Sequence, residues 1–200
     1  KHKFIDLFID KLRAVKVGNP LERGVAIGPV INVAAVTRFE AAVEQARADG
    51  GSIIHGGRRL RDGDFAHGWY VEPTVVDSVR DDCALLQQEL FVPLTVVCEV
   101  RSLEEAIERA NSTEYGLTAG LYSEDEREIE RFHQQVNAGV LYVNRKAGAT
   151  TGAWPGVNPF GGWKASGSTG RGSGGPYYVQ QFMHEQSRVR NPYRAALAPE

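Results

Sequence analysis

Apolar residues in this chain recur with two alternating periods. Segments with an apolar residue every three or four positions give way, again and again, to short β-branched runs. Phe4, Ile5, Phe8, Ile9 and Leu12 form one helical stripe, and Gly18-Asn19-Pro20 ends that element. Val36, Phe39, Val43 and Ala46 place a second helix within Asn32 to Asp49, closed by Gly50-Gly51 and followed by a short strand, Ser52 to His55. Tyr70 to Val76 and Leu94 to Val100 read as strands, and Ser102-Leu103-Glu104-Glu105 opens a helix running to about Asn111 with the residues of a capping box. A strand over Leu117 to Tyr122, a helix over Glu124 to Asn137 with Ile129, Phe132 and Val136 on one face, and a strand over Gly139 to Asn144 complete the pattern. Strands that alternate with crossovers of about a dozen residues predict an α/β fold: a mostly parallel twisted sheet with helices on both faces.

Size and charge narrow the function classes. Two hundred residues with 42% hydrophobic and 24% charged side chains suffice for one packed core, so disorder is not expected. A net charge of −2 with interspersed signs gives no basic face, so neither nucleic acid nor an anionic membrane is an expected partner. The strongest apolar run, Val92 to Val100, contains Pro93 and Glu99 and falls far short of the roughly 20 residues needed to span a bilayer. The first residues alternate acidic and apolar side chains, unlike a secretory signal. A single pair of cysteines, Cys83 and Cys98, is no disulfide framework and fits a reducing, cytoplasmic setting. Because the chain starts inside or next to a helix, it reads as a truncated chain or a fragment.

Beyond Asn144 the character changes. Lys146 to Gly175 is dense in Gly, Pro, Ser and Thr but carries Trp154, Phe160 and Trp163, a combination that suits a functional loop better than a linker. Pro176 to Val189 looks ordered again, and a polar tail starts at Asn191.

Several motifs have ordinary readings. Gly170 to Gly175 has the glycine spacing of a dinucleotide fingerprint, yet no strand precedes it and Pro176 follows, so it is read as loop. The five histidines are scattered without ligand spacing, so no metal site is expected. Cys98 sits in the apolar run 94–98, where a buried thiol is usual, and Cys83 follows Asp81-Asp82, whose charges oppose thiolate formation. Neither is expected to be a nucleophile.

Three segments carry more information: Gln88-Glu89-Leu90-Phe91-Val92-Pro93, Asn111 to Gly120, and Asn158 to Gly167. A carboxylate such as Glu89 can accept both hydroxyls of a ribose, and Phe91 can pack beside a nicotinamide ring. With Gly139 to Asn144, these segments make the chain similar to the aldehyde dehydrogenase superfamily. Its catalytic domain carries Glu-x-Phe-x-Pro, Asn-x-x-x-Tyr-Gly-Leu, Gly-x-x-x-x-Asn and Pro-Phe-Gly-Gly-x-Lys-x-Ser-Gly in that order. Thr151-Gly152-Ala153 followed by Pro159-Phe160 further resembles the substrate-anchor loop of the 1-pyrroline-5-carboxylate dehydrogenases.

The resemblance implies an incomplete catalytic domain over residues 1–190, with the anchor loop at about 146–175 and a C-terminal tail at 191–200. It implies NAD or NADP as coenzyme, contacted by Glu89 and Phe91, and L-glutamate γ-semialdehyde as substrate. Gly152 and Ala153 would hold the substrate carboxylate through backbone amides, and Phe160 would wall its aliphatic part. The catalytic cysteine and the coenzyme domain would precede this chain, leaving no catalytic residue within it, and the full-length protein would be a homo-oligomer. The departures are Val92 in place of the common glycine, and Trp154, Pro155 and Asn158 in the loop. Two rival readings remain open: a dehydrogenase for another semialdehyde or an aliphatic aldehyde, and a non-catalytic interaction module on the same scaffold.

Overall fold

The computed structural model describes residues 1–145, 157–167 and 171–190, which fall into two compact units divided after Thr113. In the first unit, α1 (His2–Arg13) precedes β1 (Lys16–Val17) and β2 (Val25–Ile27), which pair in parallel. α2 (Val33–Ala48) starts at Asn32, whose side chain accepts the Ala35 N–H, so the cap satisfies one of the helix's orphan donors. β3 (Ser52–His55), β4 (Arg59–Leu60), β5 (Tyr70–Val71), β6 (Thr74–Asp77) and β7 (Leu94–Val97) follow. β6 is the middle strand of a three-stranded sheet, antiparallel to β3 and parallel to β7, while β4 and β5 form an antiparallel pair.

The α2 stripe expected from the periodicity is the core of this unit: Val36, Phe39 and Val43 bury against Val71, with Val30, Ile53, Val92 and Leu94 packed around them. Tyr70 to Val76 is two strands rather than one. Pro73 has no N–H to give a ladder, and pairing resumes at Thr74, whose N–H donates to the Pro93 carbonyl at 2.9 Å. The strand from Leu94 stops at Val97, which leaves Cys98 exposed instead of buried. α3 (Leu103–Asn111) closes the unit. Ser102 accepts the Glu105 N–H, and Glu105 reaches back to the Arg101 N–H, one residue further out than the usual capping-box return.

In the second unit, β8 (Tyr115–Gly116), β9 (Thr118–Leu121), α4 (Glu126–Gln135), β10 (Val140–Val143) and β11 (Trp163–Lys164) occur in order. β9, α4 and β10 form a βαβ crossover, with β10 parallel to β9 in register from Val140–Thr118 to Val143–Leu121. Phe132, Val136, Ala138 and Val140 are the buried residues of this crossover. β11 pairs antiparallel with β8, an ordered ladder inside a stretch the sequence marks as irregular. Among the described residues no helix is long and apolar enough to cross a membrane.

Candidate functional site

In the first unit, Glu89 and Phe91 stand on the segment between a short 3-10 helix, Ala84–Leu86, and β7. Both side chains are exposed, and the Phe91 ring is 84% accessible although it belongs to a large apolar residue. Its backbone has φ 55°, in the left-handed region that bulky residues avoid. Such a conformation costs about 1–3 kcal/mol and persists only where the surroundings fix it. Val92 and Leu94 fix one side by packing on the α2 core. The Leu90 carbonyl, between the two candidate residues, accepts from Arg38 Nε on α2 at 3.2 Å. An exposed aromatic face two residues after a carboxylate suits a nicotinamide riboside, so this segment fits the coenzyme the sequence suggests.

In the second unit, three of the four motif segments meet. Trp163 and Lys164 pair with Gly116 and Tyr115, and the Ala165 N–H donates to the Glu114 carbonyl at 3.0 Å. The Gly116 N–H donates to Ser166 Oγ at 3.1 Å, and the Gly139 N–H to the Gly116 carbonyl at 2.9 Å. The backbones approach so closely that a Cβ on Gly139 would lie 1.7 Å from the Gly161 carbonyl oxygen, and one on Gly172 would lie 2.2 Å from the Phe160 carbonyl oxygen. Phe160 and Ser173 exchange both backbone hydrogen bonds, at 2.8 and 2.9 Å. The glycines at 161, 162, 167 and 172 thus serve backbone packing, and the Arg171 to Gly175 stretch holds the far side of the Phe160 turn.

Among the described residues, left-handed backbone outside glycine occurs at Ser78, Phe91, Asn144 and Lys164, and the last three belong to motif segments. Asn144 follows β10 at the carboxyl ends of the parallel pair; its amide donates to the Ser123 carbonyl at 2.7 Å and accepts the Ser123 N–H at 3.1 Å. Asparagine tolerates this conformation, which explains its place at the end of the Gly-x-x-x-x-Asn segment.

Phe160 is half-buried on its glycine-backed turn. Gly152 and Ala153, the residues expected to bind the substrate carboxylate, lie outside the described residues. Sequence reasoning missed Ser166 as a clasp and Arg38 as an anchor: a serine inside a glycine-rich string and an arginine on a helix face carry no local signal of such roles.

Neither cysteine is poised as a thiolate. Burial pushes the Cys83 thiol up, assisted by its hydrogen bond to the Asp49 carboxylate and, last, by the charge of Asp82. Desolvation likewise raises Cys98, against the lowering effect of Arg109. Cys98 borders a cavity of about 530 Å³ lined also by Gln87, Arg101, Glu105 and Arg109, and none of Glu89, Phe91 or Phe160 lines it. There Glu105 accepts from the Arg101 N–H, from Arg101 Nε and from Arg109, which holds its carboxyl at about 2. Among the described residues no group of three His, Cys, Asp or Glu side chains could hold a metal ion.

The profile of the aldehyde dehydrogenase family matches residues 1–187, and the chain belongs to that family. It is 35% identical over 181 residues to 1-pyrroline-5-carboxylate dehydrogenase of Bacillus cytotoxicus, covering 90% of this chain and 33% of that protein. It is 32% identical to 3,6-anhydro-alpha-L-galactose dehydrogenase of a Vibrio species, covering 92% of this chain and 37% of the relative. The structure of betaine aldehyde dehydrogenase from Staphylococcus aureus in complex with NAD+ superposes with a TM-score of 0.81 at 29% identity, over 91% of this chain and 35% of that one. The α/β class read from the sequence is the fold of these proteins. The chain spans about a third of the length of the curated relatives it matches.

Proposed function

We propose that the protein to which this chain belongs is an NAD(P)-dependent aldehyde dehydrogenase that oxidises L-glutamate γ-semialdehyde to L-glutamate. The observation that carries the oxidoreductase reading is Phe91: a bulky residue held in left-handed backbone with its ring exposed, two residues after an exposed carboxylate. The choice of aldehyde rests on Thr151-Gly152-Ala153 before Pro159-Phe160, and on the relative at 35% identity.

In this reading the coenzyme accepts a hydride, and the balanced conversion is RCHO + NAD(P)+ + H2O to RCOO− + NAD(P)H + 2 H+. Glu89 accepts the ribose hydroxyls, Phe91 lies along the nicotinamide, and Phe160 lines the substrate's methylenes. The amides of Gly152 and Ala153 receive its α-carboxylate, since convergent N–H groups stabilise an anion without a buried cation. The family resemblance puts the attacking thiolate in sequence outside these 200 residues, and the raised thiols of both cysteines present agree with it. Residues 1–190 are then part of the catalytic domain, with the anchor loop at about 146–175, and 191–200 form its tail. The full-length protein is a cytoplasmic homo-oligomer acting in proline breakdown, and the exposed Tyr177, Tyr178 and Phe182 supply apolar surface for subunit contact.

Steady-state rates of the full-length protein on L-glutamate γ-semialdehyde, betaine aldehyde and 3,6-anhydrogalactose test this. We expect kcat/KM to favour the semialdehyde by at least about tenfold, the effect of an added polar recognition element. Equal rates on all three would remove the substrate, and no coenzyme reduction with any of them would remove the activity. The isolated chain should reduce no coenzyme.

A further inference from the structure

We propose that Arg38 is a positioning residue for the coenzyme: it fixes the Glu89–Phe91 segment through the Leu90 carbonyl. The inference rests on the reading that Glu89 and Phe91 contact the nicotinamide riboside.

Between the 3-10 helix and β7 the chain has no ladder of its own. Gln88 N–H donates to the Ala84 carbonyl at 3.0 Å and ends the helical turn, and at the other end the Pro93 carbonyl accepts from Thr74 N–H at 2.9 Å. Thr74 is itself buried, with Oγ1 accepting the Gly57 N–H and donating to the Glu72 carbonyl, both at 2.9 Å, so the Pro93 end is firmly held. Between these anchors lie Glu89, Leu90 and Phe91, and among the described residues the side chain that bonds their backbone is Arg38, through Nε at 3.2 Å.

Arg38 can act as a fixed point because its helix is rigid. α2 runs 16 residues from an Asn32 cap, and Ala35, Val36 and Phe39, which flank Arg38 in sequence, are all buried. The same helix holds the segment a second way, since Val92 packs on the cluster containing Val36 and Phe39. One helix therefore grips both sides of Phe91: a side-chain hydrogen bond at the preceding residue and an apolar contact at the following one. A left-handed Phe91 needs such bracketing, because released ends would let φ relax to negative values and turn the ring away from where it is displayed. The guanidinium suits the task. Its planar fork can direct Nε at a carbonyl with less loss of freedom per hydrogen bond than a lysine ammonium suffers. Arg38 is also exposed, so replacing it leaves no cavity.

The test uses the full-length protein with R38A, R38K and, as a control on the underlying reading, E89Q. R38A is expected to raise the coenzyme KM roughly tenfold, the weight of one charge-assisted hydrogen bond, while the aldehyde KM stays within about twofold. R38K keeps a donor on a long side chain and is expected to recover the coenzyme KM to within about threefold of the parent. E89Q is expected to raise the coenzyme KM as well. An unchanged coenzyme KM in R38A beside a raised one in E89Q overturns the Arg38 inference alone. Unchanged values in both overturn the Glu89 reading and the inference with it. A joint rise of both KM values in R38A with a lowered Tm, or no recovery in R38K, identifies a merely structural side chain and overturns the inference.

Discussion

The α2 core of the first compact unit and the motif junction of the second pack in different ways. In the first, a helix presents Val36, Phe39 and Val43 to a sheet, and side-chain volume fills the space between backbones. In the second, besides a side-chain core at Phe132, Val136 and Val140, the motif segments bring backbone onto backbone at Gly139–Gly161 and Phe160–Gly172. The difference shows what each arrangement is suited to. A side-chain core tolerates exchange among hydrophobic residues of similar volume, because neighbours can repack. A glycine junction tolerates almost no addition, yet it holds the turn bearing Phe160 through short backbone hydrogen bonds, a sound mounting for a residue proposed to line a small substrate.

Removing volume should therefore hurt the first unit, and adding it should hurt the second. Phe39→Ala is expected to destabilise by about 3–5 kcal/mol, since Phe39 is 0% exposed, read as lost hydrogen-exchange protection over residues 33–48. Protection at the parent level would break the comparison on the first side. Gly139→Ala should cost about 3 kcal/mol, because the new methyl meets a carbonyl oxygen at 1.7 Å and backbone must shift, read by denaturant titration and by exchange over residues 139–143. Parent-like stability in that variant would mean the junction is looser than its geometry. Ser166→Ala is expected to cost about 1–2 kcal/mol by leaving the buried Gly116 N–H without its acceptor, with Ser166→Thr closer to the parent in the same titration.

The smallest effect concerns acid. Glu105 ordinarily titrates near 4.5 and is held at about 2, first by the Arg101 N–H and then by the Arg101 side chain. Its folded-state value is depressed, so its contribution is complete above pH 4.5 and is lost as pH falls toward 2. Thermal unfolding over that window should be less pH-dependent in Glu105→Gln than in the parent, and identical slopes would show the network to be inconsequential.

Much of this was legible in the sequence where the cause is local. The α2 stripe, the Ser102 cap, the Ser52–His55 strand and the βαβ crossover follow from periodicity and capping chemistry, which act over a few residues. The Tyr70–Val76 strand was overextended because β-branched composition outweighed Pro73, and Cys98 was expected inside because an apolar run does not say where its ladder stops. In the candidate site, Glu89, Phe91 and Phe160 were visible as motif members. Arg38 was not, and Ser166 was visible as a motif member but not as a clasp, since their partners lie 52 and 50 residues away in sequence.

The sequence by itself determined the alternation of elements, the family and the identity of the motif residues, because side-chain period and residue type are properties of the chain before it folds. Only the tertiary structure decided that three motifs share one glycine junction and that Phe91 is displayed on strained backbone gripped by α2. Close approach and left-handed φ are imposed by contacts between segments distant in sequence, and no local pattern records which segments will meet.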